Sequence, residues 1–360
     1  MKDYKLSISA TNRVKYIDAL RGFAMLLVVF VHVEIFSIYG FGNATTLANI
    51  ISAVHMPLFF FISGFCVYKL GRKYTITKVC ADALRLILPA VVVGAVYTNF
   101  KTGMDLMYFF SNPMKAGYWF TITMFEVLLI YYVINNVMHN SRRRFLVTLW
   151  VISIVLYMMK LPLKIFPIAD TVGNYLCLHQ TCNFFVFFVV GVTASMFMNY
   201  FHTIISRKFF PTIIAVLLLA CSYVQYGPLS VYWGTSVIWM VIETIGESLI
   251  GVTGTITLYM VFYKYKEFFS GVNSISRGLI CIGVNTLPIY LLHYFFLSKF
   301  PLLGELLLPY PNVILEFIVV LPITVIIIIA SLLSNYIFSA SPIFSWMLGN
   351  RRLSKHIPSK

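Results

Sequence analysis

The chain has 360 residues, 60% of them hydrophobic and only 11% charged, with a formal net charge of +15. A soluble globular domain carries roughly 25% charged residues, so this composition excludes an ordinary soluble fold and predicts a polytopic membrane protein. The positive charge does not point to nucleic acid, because it is spread over short connections and no basic soluble domain is there to host such binding.

The first dozen residues are polar, so no cleavable signal peptide is expected, and the first apolar segment serves as its own insertion signal. Ten apolar segments of spanning length follow, at about 16–38, 48–69, 80–100, 117–138, 145–160, 178–200, 209–226, 235–262, 278–298 and 313–338. The fifth is short. The eighth sits in a largely apolar stretch from Leu229 to Phe262 that has room for a re-entrant piece before the span. Pro89, Pro288 and Pro322 fall inside segments and should kink or loosen them. With ten spans, 22 of the 27 Lys and Arg residues fall on the side that holds both termini. The positive-inside rule then places both termini in the cytoplasm. The expected fold is an all-α membrane helix bundle, one transmembrane domain over 1–345 with a basic cytoplasmic tail over 346–360.

Ionisable residues inside membrane helices are costly and point to function. The first segment, YIDALRGFAMLLVVFVH, carries Asp18, Arg21 and His32. At about 1.5 Å per residue, Arg21 and His32 are roughly 16 Å apart along the axis. Asp18 and Arg21, three apart near the helix start, could equally be a simple interfacial ion pair. Counting residues from the span ends puts His32, His55 and His293 at similar depth in the outer half, with Glu34 and Glu126 close to that level. Such a group suits acid–base chemistry, with an imidazole as base and a carboxylate (Asp18, Glu34 or Glu126) steadying it. The histidines lack metal-site spacing, and no metal is expected. His139, His202 and His356 are expected to be solvated, and His179 stays undecided.

In the second segment, HMPLFFFISGF, Pro57 loosens the helix beside His55, and Ser63-Gly64 permits close helix approach. Tyr118-Trp119-Phe120 opens the fourth segment, as an interfacial aromatic belt or a sugar-stacking surface. Arg72, Lys73, Lys78 and Arg85 gather at the cytoplasmic side, either through the positive-inside rule or to meet ligand phosphates. Glu243 and Glu247 lie one turn apart nearer the midplane. The six cysteines show no ligand spacing; Cys177 and Cys182 are packing residues or, less favourably, a disulfide.

Four of these stretches, in order, resemble the membrane acyltransferase-3 family, bacterial multi-span enzymes that O-acylate surface glycans. Arg21 and His32 are similar to its Arg–ten residues–His signature. His55, Pro57, Ser63 and Gly64 resemble its second-span motif, and Tyr118-Trp119-Phe120 its fourth-span aromatics. GVNTLPIYLLH, residues 283–293, resembles its Gly-x-x-Ser/Thr-Leu-x-Ile-Tyr-Leu-x-His block, with Tyr290 and His293. The departure is the cytoplasmic basic motif, where the family often has closely spaced arginines and this chain has Arg72, Lys73 and, further on, Arg85.

The resemblance implies transfer of an acetyl or other short acyl group from cytoplasmic acyl-coenzyme A to a hydroxyl of a cell-surface or lipid-linked saccharide, in the bacterial inner membrane. His32 would be the general base, with Arg21, Asp18, Glu34 and Glu126 in the catalytic group. His55, Ser63, Trp119, Tyr290 and His293 would meet substrate, and Arg72, Lys73 and Arg85 the acetyl-coenzyme A. Implied partners are a glycan acceptor, membrane lipids and glycan-biosynthesis proteins. A transporter with Glu243 and Glu247 as proton relay is the alternative.

Overall fold

The structure, a computed structural model, describes residues 13–39, 45–69, 71–138, 140–165, 172–227, 237–307 and 312–349. These fold as helices with no strand among the described residues. The first half holds α1 (Lys15–Val33), α2 (Thr46–Val67), α3 (Ile76–Thr102), α4 (Leu106–Ser111), α5 (Trp119–Met138), α6 (Arg142–Ile165), α7 (Val172–Tyr175) and α8 (Leu178–Met196). The second holds α9 (Met198–Ile205), α10 (Phe210–Tyr226), α11 (Val237–Lys264), α12 (Ser274–Val284), α13 (Thr286–Phe296), α14 (Pro301–Leu307), α15 (Val313–Phe338) and α16 (Pro342–Met347). Local chemistry sets many starts. Thr45, Thr75, Asp105, Asn273 and Asn312 each cap a helix by accepting from a backbone N–H of the first turn. Gly103 closes α3 in the left-handed conformation, at φ 70°.

Seven helices among the described residues are long and apolar enough to cross a membrane, or up to nine if each of two bent pairs is one span. The protein is therefore a multi-pass membrane protein. The fifth expected segment is α6, 24 residues long, but its described part carries Arg142, Arg143, Arg144 and Lys160. The eighth is one continuous 28-residue helix, α11. A re-entrant piece ahead of it would lie outside the described residues, as do His139 and His356. The ninth differs from expectation: α12 and α13 meet at 87°, and α9 and α10 at 80°. The break falls at Asn285, between two 11-residue helices. Pro288 follows this break directly, in line with the bend expected there. It sits in the first turn of α13, where a missing N–H costs no helical hydrogen bond.

Two helix crossings are so close that only glycine fits. A Cβ on Gly22 would lie 1.9 Å from the Leu279 carbonyl oxygen, and one on Gly283 would lie 1.8 Å from that of Asp18. This joins α1 to α12 backbone to backbone. The same reciprocal arrangement joins α2 to α8: Gly64 against Phe188 O at 2.0 Å, and Gly191 against Phe61 O at 2.1 Å. Small residues at such contacts replace the hydrophobic drive that lipid cannot supply between helices. The first crossing sets α12 against the first half of α1, and α13, which follows α12, brings His293 to His32.

Candidate active site

A cavity of about 700 Å³ runs between α1, α2, α3, α5 and α13. Helical periodicity explains its walls. On α1 and its π-helical continuation the lining includes Arg21, Met25, Val28, His32 and Ile35, spaced four, three, four and three, with Val31 and Phe36 beside them. Eleven residues make about three turns at 3.6 residues per turn, so Arg21 and His32 share one face. On α2, Ser52, His55, Met56, Phe59, Ser63 and Cys66 form a similar stripe, and on α3 it is Lys78, Asp82, Arg85 and Leu86. Charged groups (Arg13, Arg21, Lys78, Asp82 and Arg85) gather at one end, while His32, Trp119, Tyr290 and Tyr294 lie toward the other.

His32 Nδ1 is 2.8 Å from His293 Nε2, with the rings stacked at 6°. His293 is fully buried, and its Nδ1 is 2.9 Å from the Ile289 carbonyl oxygen. A carbonyl only accepts, so His293 Nδ1 carries the proton and Nε2 is left as acceptor. His32 Nδ1–H therefore donates to it, and His32 Nε2 keeps a lone pair. Nε2 meets the Tyr294 hydroxyl at 3.4 Å. This is the geometry of an oriented base, with a second histidine in the place a carboxylate often takes.

The carboxylates expected beside His32 are elsewhere. Asp18 is buried and pairs with Arg21 at 3.5 Å, the simple ion pair that three-residue spacing allows. Glu34 is fully buried in a short π-helical continuation of α1, where Thr45 donates to it from both N–H and hydroxyl. The Thr45 side chain also meets Glu316. Glu126 accepts from Thr181. None of the three lines the cavity.

Of the residues expected to meet substrate, His55, Ser63, Trp119 and Tyr290 line the cavity, and His293 stands behind His32. His55 donates from Nδ1 to Ile51 O at 2.8 Å, which leaves Nε2 for a ligand. Trp119 is buried and stacked on Phe184 at 5.3 Å and 18°. It is therefore a cavity wall, not a belt at the rim. At the charged end Arg85 lines the cavity, whereas Arg72 and Lys73 are exposed in the extended segment before α3. Arg72 covers the Tyr74 ring at 5.4 Å. Burial raises the Tyr74 phenol above its ordinary range, so it stays protonated and donates to Val67 O. Lys78 pairs with Asp82, which also accepts from Tyr132 at 2.8 Å.

Sequence reading missed Arg13, Asp82 and Tyr294. The signal for Asp82 was present, since a helix started by Thr75 puts residues 78, 82 and 85 on one face. Tyr294 follows Tyr290 by one turn. His202, expected to be solvated, is half-buried, bonded to the Tyr259 hydroxyl at 2.9 Å and stacked on Tyr263 at 3.9 Å. Glu247 is bridged to buried Lys160 at 3.6 Å. All six cysteines are free.

A family model described as an acyltransferase domain matches residues 14–333. No curated protein and no solved structure matches the chain.

Proposed function

The chain belongs to the acyltransferase-3 family, and from that premise we propose that it transfers a short acyl group, acetyl first among them, from cytoplasmic acyl-coenzyme A to a saccharide hydroxyl. The observation that carries this reading is the relay from Ile289 O through His293 to His32, which leaves an unprotonated Nε2 on the wall of a large cavity. His32 would take the proton of the acceptor hydroxyl as it attacks, and would return it to the departing thiolate. His293 holds the ring in the required tautomer and shares the charge of the imidazolium.

The donor substrate supplies an activated thioester, and its anionic nucleotide end needs cations. Arg13, Arg21, Lys78 and Arg85 are cations on the cavity wall at the end away from His32, and Arg offers the fork geometry that phosphates favour. His55 Nε2, Ser63 and Trp119 are suited to acceptor hydroxyls and a sugar face. Among the described residues no group of three or more His, Cys, Asp or Glu side chains is placed to hold a metal ion.

We count α6 as a further span, because Val147, Val151, Ile154 and Met158 form an exposed apolar stripe of helical period. With it and both bent pairs the count reaches ten, which puts the termini on one side, the cytoplasm by the charge rule. This supports a donor arriving from the basic end, and the bacterial inner membrane is what the family resemblance implies. The transport reading is weaker, because neither Glu243 nor Glu247 lines the cavity.

The test is to incubate membrane vesicles containing the protein with acetyl-labelled coenzyme A and glycan extract. Alkali-labile label on a glycan is the expected result. Solute uptake driven by a proton gradient, with no label on glycan, would overturn the reading. Replacing Arg85 by Ala should raise the KM for acetyl-coenzyme A about tenfold, the value of one charge-assisted hydrogen bond, with kcat little changed. Initial rates over a donor titration would show it.

A further inference from the structure

The wall of the cavity beside His32 includes two tyrosines one turn apart on α13, and their hydroxyls are engaged very differently. Tyr290 donates to the Gly117 carbonyl at 2.9 Å and accepts from the Phe120 N–H at 3.1 Å, so its one proton and one lone pair are committed. Tyr294 has two acceptors for a single proton, Gly117 O and His32 Nε2, each 3.4 Å away. Both distances are at the outer limit of a hydrogen bond. This hydroxyl is held in place yet weakly engaged, and it borders the base.

What holds it is an unusual turn. Lys115, Ala116 and Gly117 follow one another with φ of 48°, 50° and 100°. The first two are non-glycine residues in the left-handed region, where side chains seldom go and where strain persists only if the surroundings impose it. The imposing contact is visible. Lys115 is buried, and its ammonium donates to three backbone carbonyls, those of Phe110, Asn112 and Asn174. The glycine is required as well, because a Cβ at position 117 would lie 2.3 Å from the Tyr294 ring.

We propose that the Tyr294 hydroxyl is the hydrogen-bond donor to the oxyanion that forms beside His32, and that the Lys115–Gly117 turn is the element that positions it. The proposal rests on the acyl-transfer reading. In the step, the acceptor O–H bond breaks and its proton passes to His32 Nε2. The acceptor oxygen bonds to the acyl carbon, and the carbonyl electron pair moves onto the carbonyl oxygen. Tyr294 donates to that oxygen and keeps its own proton. When the pair returns, the C–S bond breaks and the His32 proton goes to the thiolate. A donor aimed at the charge that develops, and weakly engaged until then, is the arrangement that favours the transition state over the ground state.

The test uses the full chain in vesicles, with acetyl-coenzyme A and the glycan fraction labelled by the wild type. Tyr294→Phe should lower kcat by about 10²-fold, as loss of one oxyanion donor does, with each KM within about twofold. A kcat within about threefold of wild type, or a change confined to KM, overturns the proposal. If Tyr294→Phe does not fold, fluorotyrosine at position 294 replaces it, and a kcat that ignores the phenol's acidity overturns the proposal. Lys115→Met should lower kcat in the wild type and have no further effect in Tyr294→Phe, since the turn acts through that hydroxyl. An equal loss in both backgrounds overturns the positioning role. Wild-type vesicles that label no glycan would instead overturn the acyl-transfer reading itself.

Discussion

Replacing His32 by Ala is expected to cut acyl transfer by about 10² to 10⁴-fold, the span that a positioned general base contributes. The fold should survive, because His32 faces the cavity and Val29, Phe30, Val31 and Val33 beside it carry the buried contacts. His293 gives the sharper comparison. Ala at that position removes the acceptor of His32 Nδ1–H, frees the ring to take the other tautomer, and should cost roughly tenfold to a hundredfold. His293→Gln can still offer a carbonyl oxygen to His32 and should recover part of the loss. Single-turnover transfer from labelled acetyl-coenzyme A separates these outcomes from changes in donor affinity. A His32→Ala protein with full turnover would remove the base from the scheme.

The largest effect on stability is expected at the glycine crossings. Gly22→Ala adds one carbon at a site 1.9 Å from a backbone oxygen, and no rotamer change can relieve it. We expect a loss of at least about 3 kcal/mol, the upper end for overpacked cores, seen as a lowered thermal midpoint and aggregation in detergent. Gly283→Ala should behave alike. The double variant should cost less than the sum, because the first substitution has already separated the helices. Gly278→Ala, five residues before Gly283 on α12, where the added carbon meets nothing beyond its own helix among the described residues, is the control and should be tolerated.

The all-helical, membrane-spanning architecture was legible because hydropathy reports burial in lipid directly. The Arg21–His32 face was legible because eleven residues on a helix return to the same side. The partner of His32 was not. Spacing within one helix says nothing about which neighbour it meets, and the 87° break at Asn285 reorients α13 in a way no periodicity announces. Depth counted along a straight ninth span grouped His293 with His32, yet it could not show that the two rings touch. The carboxylates misled for a physical reason. Buried acids in a membrane helix need partners, and Asp18, Glu34 and Glu126 found theirs away from His32, in Arg21, Thr45 and Thr181. Trp119 was ambiguous because an aromatic at a segment end fits an interface and a cavity wall equally. Arg72 and Lys73 looked like donor contacts from charge alone, whereas cavity access belongs to the face of α3 that follows the Thr75 cap.

The reciprocal glycines also constrain how such a sequence can drift. Each crossing holds two glycines that press on each other's helix, so a side chain at either site separates the pair and releases the other from its constraint. Positions 22 and 283 should therefore keep or lose glycine together as relatives diverge, and so should 64 and 191. The unit under selection at each crossing is the pair, although its members lie far apart in the chain.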